Sequence, residues 1–122
     1  MKRIMIVDDE PGVRTSVRFL LEANGFSVVE ASGGHQALEI LKREKVDLVL
    51  IDFLMPEMSG RELAERIRGD PKLRDLKLVF LTVATLGEAG KEELKKLNIL
   101  DYITKPYDNR DLVSRITRVL SK

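Results

Sequence analysis

The chain has 122 residues, of which 43% are hydrophobic and 34% charged, and its formal net charge is +1. That length and composition are typical of one globular domain with its own core. The balanced charge provides no long-range field for nucleic acid or an anionic membrane, and the absence of cysteine excludes disulfides, thiolate catalysis and cysteine metal sites.

No apolar run approaches the roughly 18 residues that a membrane span needs. The first residues lead directly into a predicted strand rather than into a signal peptide. We therefore expect a single cytoplasmic domain over residues 1–122, with neither nucleic acid nor membrane as a partner.

Hydrophobic periodicity predicts five strands that alternate with five helices. The predicted strands are residues 3–8, 27–31, 47–52, 76–82 and 99–103. Pro11 suits the start of the first helix, and Asp108 or Asn109 caps the last. The fourth helix, Glu88 to Leu97, is expected to be the least stable, because its interior Gly90 costs about 1 kcal/mol relative to alanine. This alternation predicts a parallel sheet with helices on both faces and right-handed crossovers.

Charged residues lie at the carboxyl ends of three of the predicted strands. Asp8 ends the first strand and Asp9 follows it, Asp52 ends the third, and Lys105 comes shortly after the fifth. The carboxyl ends of parallel strands meet at one edge of a sheet, where open α/β sheets bind their ligands. We therefore expect these four side chains to converge, with the hydroxyl of Thr82 beside them at the end of the fourth strand.

A cluster of carboxylates needs compensation, because two like charges about 4 Å apart repel by about 4 kcal/mol at an effective dielectric near 20. Either one carboxyl keeps its proton, or a hard cation such as Mg²⁺ binds. Asp8-Asp9 alone is equally consistent with a solvated loop or a helix cap. Together the residues indicate phosphoryl transfer, with Asp52 as nucleophile, Asp9 and Asp52 as metal ligands, and Thr82 and Lys105 binding the transferred group.

Four motifs at the predicted strand ends resemble the receiver domain of two-component response regulators. They are Ile6-Val7-Asp8-Asp9-Glu10-Pro11, Asp52-Phe53-Leu54-Met55-Pro56-Glu57-Met58-Ser59-Gly60, Leu81-Thr82 and Tyr102-Ile103-Thr104-Lys105-Pro106-Tyr107. The resemblance spans the whole chain. It implies an α/β fold, with a doubly wound five-stranded parallel sheet of order 2-1-3-4-5 in a flavodoxin-like three-layer sandwich.

The resemblance also assigns roles in the site. Asp52 would be the phosphoacceptor, taking a phosphoryl group from a sensor histidine kinase or a phosphotransfer protein. Mg²⁺ would be held by Asp9, Asp52 and the backbone carbonyl of Leu54, with Asp8 acting directly or through water. The Lys105-Pro106 peptide bond would be cis.

A switch is implied as well, in which Thr82 moves toward the phosphate and Tyr102 swings into the vacated space. The face of the fourth helix, fifth strand and fifth helix would then change its affinity for an unknown downstream protein. Val83 stands where the family usually has alanine or glycine, and it would hinder access to Asp52 or movement of Thr82. Leu54 and Ala84 carry no acid or amide to orient water. We therefore expect a domain that catalyses its own phosphorylation and only a slow dephosphorylation.

Other interpretations remain at this stage. Val83 is consistent with a receiver-like docking module that is not phosphorylated, and the chain is also consistent with the receiver fragment of a larger regulator. A phosphatase of haloacid-dehalogenase type would carry a second aspartate two residues after the nucleophile, where this chain has Leu54. A flavodoxin-like FMN carrier needs a first loop that cradles phosphate, which Asp8-Asp9-Glu10 would repel.

Overall fold

A computed structural model of the chain describes residues 1–83 and 87–121, so Ala84 lies outside the described residues. Strands and helices alternate through these residues. They are β1 (Arg3–Val7), α1 (Pro11–Ala23), β2 (Ser27–Ala31), α2 (Gly34–Arg43), β3 (Leu48–Ile51), α3 (Gly60–Gly69), β4 (Lys77–Thr82), α4 (Glu88–Lys96), β5 (Asp101–Thr104) and α5 (Asn109–Leu120). The strands form one parallel sheet of order β2-β1-β3-β4-β5. The predicted fold class is confirmed.

The sheet is covered by helices on both faces. Alternate side chains of β1 point to opposite sides, so Met5 and Val7 pack with α2 and α3, whereas Ile4 and Ile6 pack with α1 and α5. All four residues of β3 are buried. Burial on both faces explains why the inner strands are almost continuously apolar in sequence.

The fifth strand begins two residues later than predicted, at Asp101. The cause is the end of α4, where Asn98 takes a left-handed φ of 53°. The Ile99 N–H then donates to the carbonyl of Leu94 at 2.9 Å. This hydrogen bond completes a Schellman cap, so Ile99 ends the helix instead of starting the strand.

Helix α4 contributes no buried residue. Its N-cap is Gly87, which has no side chain to accept a hydrogen bond from the first turn. In contrast, Ser59 and Asp108 cap α3 and α5 through their side chains. The low stability expected for α4 stays a prediction, but these features support it.

The connection from β3 to α3 contains one residue in an unfavourable backbone conformation. Glu57 has a φ of 66°, a left-handed value that costs most non-glycine residues about 1–2 kcal/mol and asparagine less. We expect Glu57→Asn to raise the free energy of unfolding by about 0.5–1 kcal/mol. Thermal unfolding should show this as an increase in Tm of about 2–5 °C.

The same substitution in a right-handed helix provides the control. Glu65 is an exposed residue of α3. Glu65→Asn should bring no gain, because asparagine is the poorer helix former. An equal increase in Tm for both variants would contradict backbone relief as the cause.

Candidate functional site

Three carboxylates meet at the carboxyl edge of the sheet. Asp8 and Asp52 follow β1 and β3, which are neighbours with Val7 opposite Ile51. One oxygen from each of Asp8, Asp9 and Asp52 lies within 4.8 Å of the others. Asp8 and Asp52 are only 2% and 6% exposed, whereas Asp9 is exposed to solvent. The cluster therefore has a buried floor and an open side.

Lys105 brings a positive charge to the two buried carboxylates. Its Nζ lies 3.0 Å from Oδ2 of Asp8 and 3.7 Å from Oδ2 of Asp52. The backbone N–H of Lys105 donates to the carbonyl of Thr82 at 2.9 Å, which fixes the loop after β5 against the end of β4. The Lys105-Pro106 peptide bond is cis, as the resemblance implies.

Backbone hydrogen bonds orient the two buried acids. Oδ1 of Asp8 accepts from the N–H of Glu10 at 2.9 Å, and Oδ1 of Asp52 accepts from the N–H of Leu54 at 3.3 Å. The N-cap of α1 is Glu10, without a side-chain hydrogen bond. The interpretation of Asp8-Asp9 as a helix cap is therefore wrong.

Sequence reasoning missed Arg14, which supports the site from α1. Its Nη1 donates to the backbone carbonyl of Asp8 at 2.6 Å, and its Nε pairs with Glu30 of β2 at 3.1 Å. An arginine one turn into a helix carries no sequence signal for this role. The contact depends on how α1 crosses β2, which only the structure shows.

The profile of the response regulator receiver domain matches residues 4–117. The chain belongs to this family. Among curated relatives, the phosphate regulon transcriptional regulatory protein PhoB of Pseudomonas aeruginosa is 38% identical over 121 residues, which are 99% of this chain and 52% of PhoB. An uncharacterized 14.6 kDa protein of Leptolyngbya boryana is 39% identical over 110 residues, covering 90% of this chain and 83% of that protein. The receiver domain thus spans about half the length of PhoB.

Solved structures agree with the family. Chemotaxis protein CheY4 of Vibrio cholerae superposes with a TM-score of 0.91 at 27% identity, covering 98% of each chain. Response regulator protein TrrA of Thermotoga maritima, solved in complex with Mg²⁺-BeF, gives a TM-score of 0.83 at 31% identity, covering 98% of this chain and 99% of that chain. Within the part of the receiver domain that the structure describes, no helix is long and apolar enough to cross a membrane.

Of the other residues predicted for the receiver site, Leu54 follows β3, Thr82 ends β4 and Tyr102 lies within β5. Thr82 is fully buried as the last residue of β4, and Tyr102 is half-buried in β5. The Tyr102 hydroxyl is buried and has no hydrogen-bond partner among the described residues, and burial raises its pKa. Leu54 and Val83 are 54% and 61% exposed, so the two apolar side chains face solvent beside the acids.

The pKa values of Asp52 and Lys105 are both raised, for different reasons. Burial raises the pKa of Asp52, the charge of Asp8 adds to this, and the charge of Lys105 opposes it. Burial acts to lower the pKa of Lys105, but the hydrogen bond and charge of Asp8, together with the charges of Asp52 and Glu10, outweigh burial, so that pKa is raised. Lys105 therefore stays charged, and Asp52 remains incompletely compensated.

These residues fit a divalent cation. Three carboxylates face one ammonium group, so the cluster keeps an excess of negative charge when all three are ionised. Its donor atoms are all oxygen, which suits a hard ion such as Mg²⁺. The open side at Asp9 leaves room for water and a phosphoryl group as further ligands.

Neutralising the two buried acids of the receiver domain should have opposite effects on stability. Asp52→Asn removes a carboxylate whose pKa is raised, so we expect the free energy of unfolding at pH 7 to increase by roughly 1 kcal/mol. Asp8→Asn removes the 3.0 Å partner of Lys105, so we expect a decrease of about 1–2 kcal/mol. Urea unfolding measures both.

The pH dependence of unfolding tests whether the stabilisation expected for Asp52→Asn is electrostatic. A raised folded pKa means that the native state binds the proton more tightly, so ionisation lowers the stability of the wild type as pH rises above the ordinary value of 3.8. The advantage of Asp52→Asn should therefore shrink as pH falls toward that value. An advantage that grows at low pH would contradict this electrostatic explanation.

Proposed function

We propose that Asp52 accepts a phosphoryl group from the phosphohistidine of a sensor histidine kinase or phosphotransfer protein. The main support for this proposal is the surroundings of Asp52. Its carboxylate is buried beside two further carboxylates, and the ammonium group of Lys105 lies 3.7 Å away. An Asp52 oxygen attacks phosphorus, the P–N bond breaks, and its electron pair stays with the imidazole. The product is an aspartyl-phosphate on the receiver domain.

Each neighbour has a separate task in this proposal. Asp9, Asp52 and the carbonyl of Leu54 would hold Mg²⁺, with Asp8 binding directly or through water. Bound Mg²⁺ would supply charge neutralisation between carboxylates and phosphoryl oxygens. Lys105 would bind a phosphoryl oxygen, because its charge already lies between Asp8 and Asp52. Thr82 would donate a hydrogen bond from its hydroxyl to the transferred phosphoryl group after the Thr82 side chain has moved.

The proposed output is the face of α4, β5 and α5. Thr82 and Tyr102 would couple it to Asp52, since Thr82 ends β4 and Tyr102 lies on the adjacent strand β5. The buried hydroxyl of Tyr102 has no hydrogen-bond partner among the described residues, which supports the proposal that this side chain can occupy a second position. Phosphorylation would then shift the population toward the state that binds an unknown downstream protein.

We propose a stand-alone receiver in the cytoplasm, acting through a noncovalent partner. The coverage of only 52% of PhoB supports a second candidate, the receiver segment of a longer regulator. The two candidates share the same phosphoacceptor chemistry. Purification of the native protein from its source, followed by intact-mass measurement, separates them, because a longer chain carries additional mass.

Intact-mass measurement after incubation with acetyl phosphate and Mg²⁺ tests the phosphoacceptor. We expect wild type to gain the mass of one phosphoryl group and Asp52→Asn to gain none. Asp75→Asn is the matched control, because Asp75 is an exposed aspartate in the connection from α3 to β4 and should leave the gain unchanged. No gain in the wild type would support the unphosphorylated docking module, for which the exposed Val83 beside the site is the structural argument.

The aspartyl-phosphate should decay slowly. Leu54 is exposed beside Asp52 but has no polar group to orient an attacking water, and Ala84 lies outside the described residues. We expect the Leu54→Asn, Ala84→Glu double variant to hydrolyse the phosphate at least about tenfold faster, since a positioned acid or amide typically contributes 10²–10⁴-fold. Loss of the added mass with time gives both rates, and equal rates would reject the explanation.

A further inference from the structure

Arg68 lies in the last turn of α3 and donates four hydrogen bonds to backbone carbonyls of the described residues. Its Nε and Nη2 bind the carbonyls of Leu97 and Asn98, at 2.6 and 3.1 Å. Its Nη1 binds those of Arg74 and Leu76, at 2.8 and 2.7 Å. One planar guanidinium therefore joins the end of α4 to the connection between α3 and β4. A lysine, with a single nitrogen, could not reach all four carbonyls.

Backbone hydrogen bonds also fix this carboxyl end of α4. The N–H of Asn98 donates to Lys95 at 3.1 Å, and the N–H of Ile99 donates to Leu94 at 2.9 Å. The next N–H, that of Leu100, donates to Leu78 of β4 at 2.9 Å. The end of α4 is thus tied both to its own last turn and to the sheet.

The amino end of α4 has no comparable attachment in the described residues. Ala89 and Gly90 line a cavity of about 320 Å³, which continues along α4 past Glu93 and Leu94 to Leu97. Phe53 and Phe80 line its other side. These two rings pack edge to face with centroids 5.4 Å apart. Phe53 directly follows Asp52, so the cavity lies between the inner side of α4 and the segment that follows Asp52.

Halfway along α4, Glu93 pairs with Arg61 of α3 at 3.1 Å. Both side chains are substantially exposed, at 37% and 49%, and such surface pairs contribute little to stability. This pair is therefore a weak restraint on α4. Among the residues that the structure describes, hydrogen bonds from outside α4 therefore hold only its carboxyl end.

We propose that Arg68 is the pivot of α4: it fixes the carboxyl end of the helix, so that movement occurs at the amino end above the cavity. Space beneath Ala89 and Gly90 permits the movement, and the bonds to Leu97 and Asn98 oppose it at the other end. Arg68 is thus a positioning residue for one side of the proposed output face. The proposal concerns the unphosphorylated chain, so its failure would leave the phosphoacceptor function untouched.

Amide hydrogen exchange followed by NMR tests the pivot without any phosphoryl donor. In the wild type, we expect the Ile99 amide to exchange at least about tenfold more slowly than the Lys91 amide, although both donate hydrogen bonds. Arg68→Lys should abolish that difference and leave the amide of Val49 in the buried strand β3 unchanged. Arg66→Lys is the control, because Arg66 is exposed on the same helix and pairs only with Glu62 among the described residues.

Two outcomes would overturn the proposal. One is an Ile99 amide that exchanges equally in Arg68→Lys and Arg66→Lys. The other is an Arg68→Lys variant in which Val49 loses as much protection as Ile99, because Arg68 would then only stabilise the whole domain.

A substitution at the moving end gives an independent test. Gly90→Ala should slow exchange of the Lys91 amide about fivefold, since alanine favours the helix, and it should leave Ile99 unchanged. Equal slowing of Lys91 and Ile99 would show that α4 moves as one rigid unit and would also overturn the pivot.

Discussion

Lys105→Gln is expected to slow phosphorylation of Asp52 by about 10²–10³-fold, the usual effect of removing one donor to the developing charge. The same variant should bind Mg²⁺ more tightly, because the ammonium group that lies 3.0 Å from Asp8 and 3.7 Å from Asp52 no longer competes for those carboxylates. The rate of mass gain with acetyl phosphate measures the first effect, and calorimetric titration with Mg²⁺ measures the second.

The two measurements on Lys105→Gln together distinguish a role of Lys105 in phosphoryl transfer from a role in balancing the buried carboxylates. If the lysine only balanced the buried carboxylates, its loss would strengthen Mg²⁺ binding without slowing transfer at saturating metal. Lys72→Gln is the control, since Lys72 is an exposed lysine outside the site, in the connection from α3 to β4. A Lys105→Gln variant that is phosphorylated as fast as Lys72→Gln would remove Lys105 from the phosphoryl site.

Gly60→Ala should be the most damaging substitution of a residue without a functional group. A Cβ at position 60 would collide with the carbonyl oxygen of Asp52 and lie 2.8 Å from the Cα of Phe53. Both are backbone atoms, so the segment that carries Asp52 has to move. We expect unfolding to become easier by about 1–3 kcal/mol, the usual cost of overpacking, and phosphorylation at saturating Mg²⁺ to slow by about 10²-fold.

Gly69 provides the matched control for this substitution. It ends the same helix, and a Cβ there meets nothing within 4 Å. Gly69→Ala should therefore leave the phosphorylation rate unchanged and stability equal or slightly higher. If both variants gave the same stability in urea unfolding and the same rate of mass gain, then the close approach of α3 to Asp52 would not be required for stability or for phosphorylation.

The convergence of Asp8, Asp9 and Asp52 followed from sequence because parallel strands share one carboxyl edge. That rule needs only the strand type and the last residue of each strand. It does not determine which acid is buried, since the chain leaves the strand geometry after Val7 and Ile51. Asp8 is buried and the adjacent Asp9 is exposed, a difference set by the direction of the turn into α1.

Contacts between long side chains and backbone atoms could not be predicted from the sequence, for a different reason. Arg14 and Arg68 look in sequence like ordinary helix-surface cations, yet one binds the carbonyl of Asp8 and the other the end of α4. Their partners are carbonyls, which every residue has, so no residue type marks the contact. The start of β5 was predicted too early for a related reason. Asn98 adopts a left-handed conformation, and the residue types around it do not indicate this.

Calorimetric titration with Mg²⁺ tests most directly whether three separate segments of the chain form one cation site beside Asp52. We predict binding at one site in the wild type, with affinity reduced about tenfold or more in Asp9→Asn and in Asp52→Asn. Asp75→Asn, an exposed aspartate outside the cluster, should bind as the wild type does. Absence of Mg²⁺ binding, or equal affinity in all four proteins, would contradict the account.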